Sequence, residues 1–480
     1  MTSTLLVLSL LVLVVAVLLY RTITMKPGTV ASVTPAKVDI VDAAGAASRL
    51  STLIQKRTVS SRDPEGWDPR EFDAFRKLLP ALYPESHRAL DMTIIAGHSM
   101  LYRWKGKQPG EPLVLMSHYD VVPADDEGWI RPAFSGDLHD GKVWGRGSID
   151  TKCTLVCAFE AVETLLKSGF IPERDIYLSF GHNEETGGDG TPSIVRYLTE
   201  KGIKPGLVLD EGGAIVEGVF PGVSKPLAMV GVAEKGVTDL ELSVQSPGGH
   251  SSTPPRRGAA WRLAQAIVRL ERKPFPARFP SATRAMFKQL GPHASFGLRL
   301  VFANLWLFEP LLLRVFGSSG GELNAICRTT TVVTMLEGSQ AANVLPAVAK
   351  AVVNVRLAIE DSVEAAVARI RNTIADPLVE LRVLHPGEPS PVSELSGERF
   401  DALVATIAEV YPEAIMAPYI VLGGTDARHY SDVSTSVYRF SPFTLSKAER
   451  ASMHAVNEAI PVASLAKGVD FYQRLIRRAG

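Results

Sequence analysis

Cysteine is scarce: Cys153, Cys157 and Cys327 are the only three in 480 residues. An odd, sparse set gives no disulfide framework. Cys153 and Cys157 lie four apart on a stretch that reads as a helix, where they pack as small core residues. Charge of one sign is also lacking. Lys+Arg and Asp+Glu each total 51, which excludes the basic surplus of a nucleic-acid binder. No Asn-x-Ser/Thr sequon occurs, so glycosylation gives no sign of secretion. The basic leader and small-residue cleavage site of a secretory signal are missing too.

What is present begins with an apolar run. Leu5 to Tyr20 is apolar apart from Ser9, and Arg21 and Lys26 follow. Its length approaches the ~20 residues that span a bilayer. Residues 1–24 therefore read as a membrane anchor. The other reading is a signal, which would leave a secreted, periplasmic or lumenal chain if cleaved. One or two flanking charges leave the orientation open. Residues 25–42 read as a linker.

The rest is too long for one ordinary core, and 46% hydrophobic content is enough to bury two. From 43 to 235, strands alternate with helical segments, the mark of a mostly parallel α/β sheet. The texture changes near Gly236. Thr238 to Gln245 alternates like a half-exposed strand, and about four strands and two helices follow. Residues 236–386 thus predict an inserted α+β sandwich, with the first domain resuming over 387–480. The apolar stretch Leu298 to Phe316, within 274–321, is interrupted by charges. It reads as cover for the second domain, as a wall for a fatty substrate, or as a membrane-touching face.

The chemistry sits where apolar runs end. Leu113-Val-Leu-Met leads to His118 and Asp120, and Lys142-Val-Trp to Asp150. Ile176-Tyr-Leu-Ser-Phe leads to Glu184 and Glu185, and Leu207-Val-Leu to Asp210 and Glu211. His454 lies far downstream. One such motif is a weak signal. Four at successive strand ends converge, because open α/β sheets bind ligands outside the carboxyl ends of their strands.

Two imidazoles and several carboxylates suit a pair of divalent ions, with zinc favoured. Asp150, short and set after a Gly-x-Gly turn, is the expected bridge. His118 and His454 supply one imidazole each, and Glu185 and Glu211 complete the two spheres. Asp210 competes with Glu211. Asp120 is expected to accept the other N–H of His118, fixing its tautomer. Glu184 is left as the base. If its chain is extended, it points away from Glu185. His182 reads as structural. His250, in Gly248-Gly-His-Ser-Ser252, reads as a turn residue or an oxyanion donor. Arg356 reads as a grip for a substrate carboxylate or as a surface ion pair.

These residues, with Asn343-Val-Leu-Pro, resemble the aminoacylase-1/carboxypeptidase S family of zinc metallopeptidases, in order from about Ala43 to the C-terminus. Trp306-Leu-Phe-Glu-Pro-Leu and Cys327-Arg-Thr-Thr-Thr look most like the branch holding carboxypeptidase S and the N-fatty-acyl-amino-acid synthase/hydrolase. The resemblance implies two Zn2+ per subunit on His118, Asp150, Glu185, Glu211 and His454, with Asp120 and Glu184 as the catalytic pair. It makes the second domain a lid that in dimeric relatives forms the subunit interface, with His250 as the lid histidine. The expected substrate is a peptide or N-acyl amino acid cut at an amide next to a free carboxylate. Rival readings are a deacetylase or desuccinylase of soluble metabolites, and a non-catalytic binding ectodomain.

Overall fold

The computed structural model describes residues 2–27, 38–63, 66–220 and 222–480. Much of the expected linker, 28–37, lies outside the described residues. The larger sheet has nine strands. Its centre runs Ile176–Gly181, Leu113–His118, Leu207–Asp210 and Val437–Arg439, all parallel neighbours. These strands are buried on both faces, as the unbroken apolar runs require. The sheet is α/β, with this parallel centre and antiparallel strands added beside it. Asp91–Ile95 and Ser99–Trp104 form a hairpin that adds antiparallel strands at one side. Ala96 and Gly97 make its turn, both with positive φ.

Helices cover the sheet where their spacing predicts. Ala43–Ile54, Lys152–Lys167 and Val462–Ala479 pack together. Cys153 and Cys157 are buried and free, as core residues. Asp42 caps the first helix by accepting the Gly45 N–H.

A second, antiparallel sheet runs in the order Thr330–Glu337, Val348–Leu357, Gly236–Gln245, Glu380–His385. Gly236–Gln245 alternates buried and half-exposed residues along its length. Its inner face, with Leu240, Leu242 and Val353, packs on Leu263 and Ile370 of the helices Ala259–Arg272 and Val363–Ile374. This core is separate from that of the larger sheet.

The apolar insert departs from the expected cover for the second domain. Phe287 and Phe302 stack at 4.8 Å, Phe316 and Phe279 close around them, and all four belong to the larger core. The helix Ser281–Leu290 packs on the strand Ile415–Val421 of the larger sheet. Lys235, where the chain crosses to the second sheet, donates to the carbonyls of Ala325 and Arg328 and ties the insert's end to that crossing.

Candidate active site

Three of the motifs sit just past central strands, whereas Asp150 follows Lys142–Trp144 of a separate three-stranded sheet and His454 follows the helix Lys447–Ser452. His118 ends Leu113–His118, and Glu211 follows Leu207–Asp210. Glu184 and Glu185 occupy a 3-10 turn, Glu184–Thr186, after Ile176–Gly181. The turn replaces the extended chain expected here, yet the two carboxylates still diverge. Glu184 Oε2 lies 4.0 Å from His118 Nε2, while Glu185 Oε2 lies 3.2 Å from His454 Nε2.

Asp150 stands between the imidazoles. Its Oδ1 is 3.0 Å from His118 Nε2 and its Oδ2 is 3.0 Å from His454 Nε2. Glu211 Oε1 lies 3.3 Å from His118 Nε2. The set divides into His118 with Glu211 and His454 with Glu185, sharing Asp150. His118 is buried, whereas the His454 side chain is 54% exposed, so the site opens on the His454 side. His454 has φ +60°, a strained conformation for a residue with a Cβ, as functional positions often show. Gly147, at φ +84°, fits close to its neighbours: a Cβ there would come within 2.7 Å of Val121.

Asp120 turns two groups toward His118. Its backbone carbonyl lies 3.0 Å from His118 Nδ1 and its Oδ1 lies 3.3 Å away. Its carboxylate also accepts the Ser60 hydroxyl and the N–H groups of Glu184 and Glu185. It thereby positions one imidazole and the turn that carries both glutamates. Asp210 points away from the cluster, accepting the N–H groups of Glu211 and Ala427. His182 is buried on Ser99 and takes no part in the cluster. His250 is exposed on Gly249–His250, which pairs with Val344–Leu345, and its Nδ1 accepts from Ser252. No described hydrogen bond or ion pair joins His250 to the cluster. Arg356 is half-buried and donates to Asn354. Burial lowers its pKa, against the pull of the nearby Asp239 carboxylate, and Arg428 lowers it further.

The electrostatics call for cations. Burial, with Asp426 and Glu211 nearby, pushes the Glu184 carboxyl well above its usual range. Burial and Asp150 push Glu211 up to about 7. Burial opposes charge on His118, but its bonds to Asp120, Asp150 and Glu211 outweigh burial and raise its pKa. Asp150 and Glu185 hold His454 at about 10. Glu185 Oε1 is buried without a hydrogen-bond partner. Four carboxylates crowded on two imidazoles, one with an orphaned oxygen, fit divalent ions. Two ligand groups can be drawn within 4.8 Å: His118, Asp150 and Glu185, and His118, Glu184 and Glu211.

Around the candidate site, two acids escaped the sequence reading. Glu458 is fully buried and accepts Arg146 together with the N–H groups of Gly147, Ile149 and Asp150. Asp426 is buried, accepts the Thr191 hydroxyl, and is pushed up to about 7 by burial first. Asp426 follows the apolar strand Ile415–Val421, the same strand-end signal that marks the other acids. Glu458 carries no such signal, because its partners are backbone amides more than 300 residues away.

Residues 114–478 match the model of Peptidase family M20/M25/M40. The chain belongs to this peptidase family. A probable carboxypeptidase S-like protein of Dictyostelium discoideum is 38% identical over 439 residues, covering 90% of this chain and 84% of that one. The N-fatty-acyl-amino acid synthase/hydrolase of Homo sapiens is 36% identical over 412 residues, covering 84% and 82%. An M20 family metallo-carboxypeptidase of Sulfolobus solfataricus shares the fold, with TM-score 0.67 at 17% identity over 90% of this chain and 99% of that one. As a member of the M20 family, the protein is a metal-dependent hydrolase of amide bonds, with an α/β catalytic domain and a lid domain.

Proposed function

We propose that this M20 hydrolase cleaves, and in reverse forms, the amide that joins an acyl or peptidyl group to an amino acid with a free carboxylate. It does so with two zinc ions held by His118, Asp150, Glu185, Glu211 and His454. The observation that carries this reading is Asp150, with one carboxylate oxygen 3.0 Å from each imidazole. His118–Glu211 and His454–Glu185 then serve one ion each. The relatives named carboxypeptidase S and N-fatty-acyl-amino acid synthase/hydrolase support the substrate class.

The bound ions supply Lewis-acid chemistry, polarising the scissile carbonyl. Glu184 takes the proton of the attacking water and delivers it to the leaving amine. Its raised pKa suits a group that must both accept and donate. Asp120 holds the His118 tautomer and the Glu184–Glu185 turn. Arg356 receives the substrate carboxylate. Its weak pairing supports this, since its one described side-chain bond goes to the neutral Asn354. His250 is the oxyanion donor, brought to the site by movement of the lid or from the lid of a second copy. The exposed apolar edge of the lid sheet, Val332, Met335 and Leu336, supports a homodimer through that edge. The helix Thr2–Thr24, with mean hydropathy 2.8 over its apolar span, anchors the enzyme in a membrane.

Hydrolysis rates on dipeptides, N-acetyl amino acids and N-oleoyl amino acids test the substrate class. Turnover of dipeptides or N-acyl amino acids that vanishes when the substrate carboxylate is amidated is expected. Equal turnover of the amidated substrates would overturn this reading.

A further inference from the structure

The N-terminal helix does not stand alone. Val14, Leu18 and Thr22 lie four residues apart on it and are its shielded face, while the other apolar side chains from Leu5 to Ile23 are exposed. The shielded face meets the insert where the helix Phe296–Ala303 bends into Leu305–Ser319, at 111°. Asn304, fully buried at the bend, donates to Leu18 O and Thr22 Oγ1. Arg21 Nε donates to Ala303 O. Arg299 donates to Met25 O, just past the end of the N-terminal helix, and to Ile23 O in its last turn. These are specific bonds, and they fix the bend at the C-terminal end of the apolar helix.

The bend exposes its own apolar side chains. Leu307, Leu311 and Val315 recur every fourth residue on one face of Leu305–Ser319, with Trp306 beside them and Phe296 on the preceding helix. The opposite face, through Leu312 and Phe316, packs into the larger core. Glu309 is the only acid from Phe296 to Ser319, and Arg284 pairs with it on the protein side. From Thr2 to Pro27 there is no acid at all. Arg21, Lys26 and Arg314 are exposed around the face.

We propose that this bend is a foot seated in the lipid bilayer surface. Trp306, Leu307, Leu311 and Val315 enter the interfacial layer beside the point where the N-terminal helix leaves the membrane. The inference rests on the anchor reading given above and adds a second contact. Length and position select the bilayer as the occupant. A helix of 23 residues is about 34 Å long against a hydrocarbon core of about 30 Å, so Leu18 to Thr24 lie at the exit level. The foot is hydrogen-bonded to that same stretch. Leu305–Ser319 is only about 22 Å long and cannot cross, so it lies in the interface plane. Trp306 is the residue type that settles at this depth, and the surrounding arginines and lysine match anionic headgroups. The foot also packs on the segment that follows Glu211 in the chain. Phe220 packs on Phe302 and Phe287, and Gly222 accepts the Ser295 N–H. Both lie in the chain that continues from Glu211 through Ile215–Val216.

Single cysteines carrying an environment-sensitive NBD label test the foot in the full chain, because Cys153, Cys157 and Cys327 are buried. The labels go at Leu311→Cys and Val315→Cys in the foot and at Val12→Cys in the N-terminal helix. Met92→Cys, on the edge strand opposite the insert's side of the larger sheet, is the aqueous control. Each variant is reconstituted in vesicles of equal parts phosphatidylcholine and phosphatidylglycerol, with and without doxyl-labelled lipid. Wild-type melting temperature confirms the fold. Doxyl lipid is expected to quench positions 311 and 315 about twofold or more, with a blue-shifted emission, and to leave 92 unchanged. Adding Leu311→Glu should release the label at 315. Quenching at 12 but not at 311 and 315 overturns the foot and leaves the anchor standing. Quenching at 311 and 315 but not at 12 supports the foot and removes the anchor. A blue shift at 311 that ignores the quencher and fades on dilution means that a second copy covers the face, which also overturns the proposal.

Discussion

Glu458 accepts the backbone N–H of Asp150 at 3.1 Å, from inside the protein. The same carboxylate takes the N–H groups of Gly147 and Ile149 and the Arg146 guanidinium. The loop that aims Asp150 between two histidines is therefore folded around one buried carboxyl group. His454 lies only four residues before it, so a single segment brings an imidazole and the loop's organiser.

Glu458→Gln keeps the shape but weakens the pull on three amides and leaves Arg146 short of its counter-charge. Metal affinity is expected to fall by roughly 10–100-fold, the range for changes just behind metal ligands. Zinc titration of the apoprotein measures this. Unchanged affinity, with a normal melting temperature, would show that the loop holds its form without the carboxylate.

Glu184→Gln keeps the size and removes the proton acceptor. A loss of roughly 10²–10⁴-fold in kcat is expected, with metal content intact. Asp120 grips this residue through its backbone N–H, so the side chain can be changed without disturbing the turn. Activity within a few-fold of wild type would remove Glu184 from the proton transfer.

The candidate site was more legible than its supports. His118, Glu184, Glu185 and Glu211 announce themselves because each ends or follows an apolar strand of the larger sheet, and those strand ends converge; Asp150 follows Lys142–Trp144, which the structure puts in a separate three-stranded sheet. His454 follows no strand and was read through the resemblance and the need for a second imidazole. The amphipathic helices and the alternating strand Gly236–Gln245 were legible from their period. The insert was not. Its helices are apolar on both sides, and periodicity cannot say that one side meets the larger core while the other is exposed. Glu458 and Glu234 were also missed. Their partners are amides and guanidiniums far off in sequence, and no local pattern encodes such contacts.

Asp150→Ala tests the shared ligand. Both ions are expected to be lost from this variant, whereas His454→Ala, on the exposed side, should retain the metal at His118 and Glu211. Metal analysis after dialysis gives the comparison. Two full equivalents of zinc in Asp150→Ala would reject Asp150 as the bridge.

Glu234 and Arg439 form a fully buried pair, with Arg439 Nε 2.6 Å from the carboxylate. Glu234 also accepts Arg428 and both the N–H and the hydroxyl of Thr425, next to Asp426. Burial alone would raise its pKa. Arg439, Arg428 and the Thr425 bonds outweigh burial and hold it below the usual range. A carboxyl depressed in the folded state stabilises the fold above its unfolded pKa, about 4.3. That contribution is lost as pH falls through the folded value. Glu234→Gln leaves Arg439 as an uncompensated buried charge, which costs about 3–5 kcal/mol. The melting temperature at pH 7 should drop by several degrees. The gap to wild type should narrow on acidification past pH 4, as wild-type Glu234 takes up its proton. Thermal unfolding of both proteins from pH 7 to pH 3 decides the matter. A gap that stays constant across that range would mean that the pair's charge is not what stabilises this part of the fold.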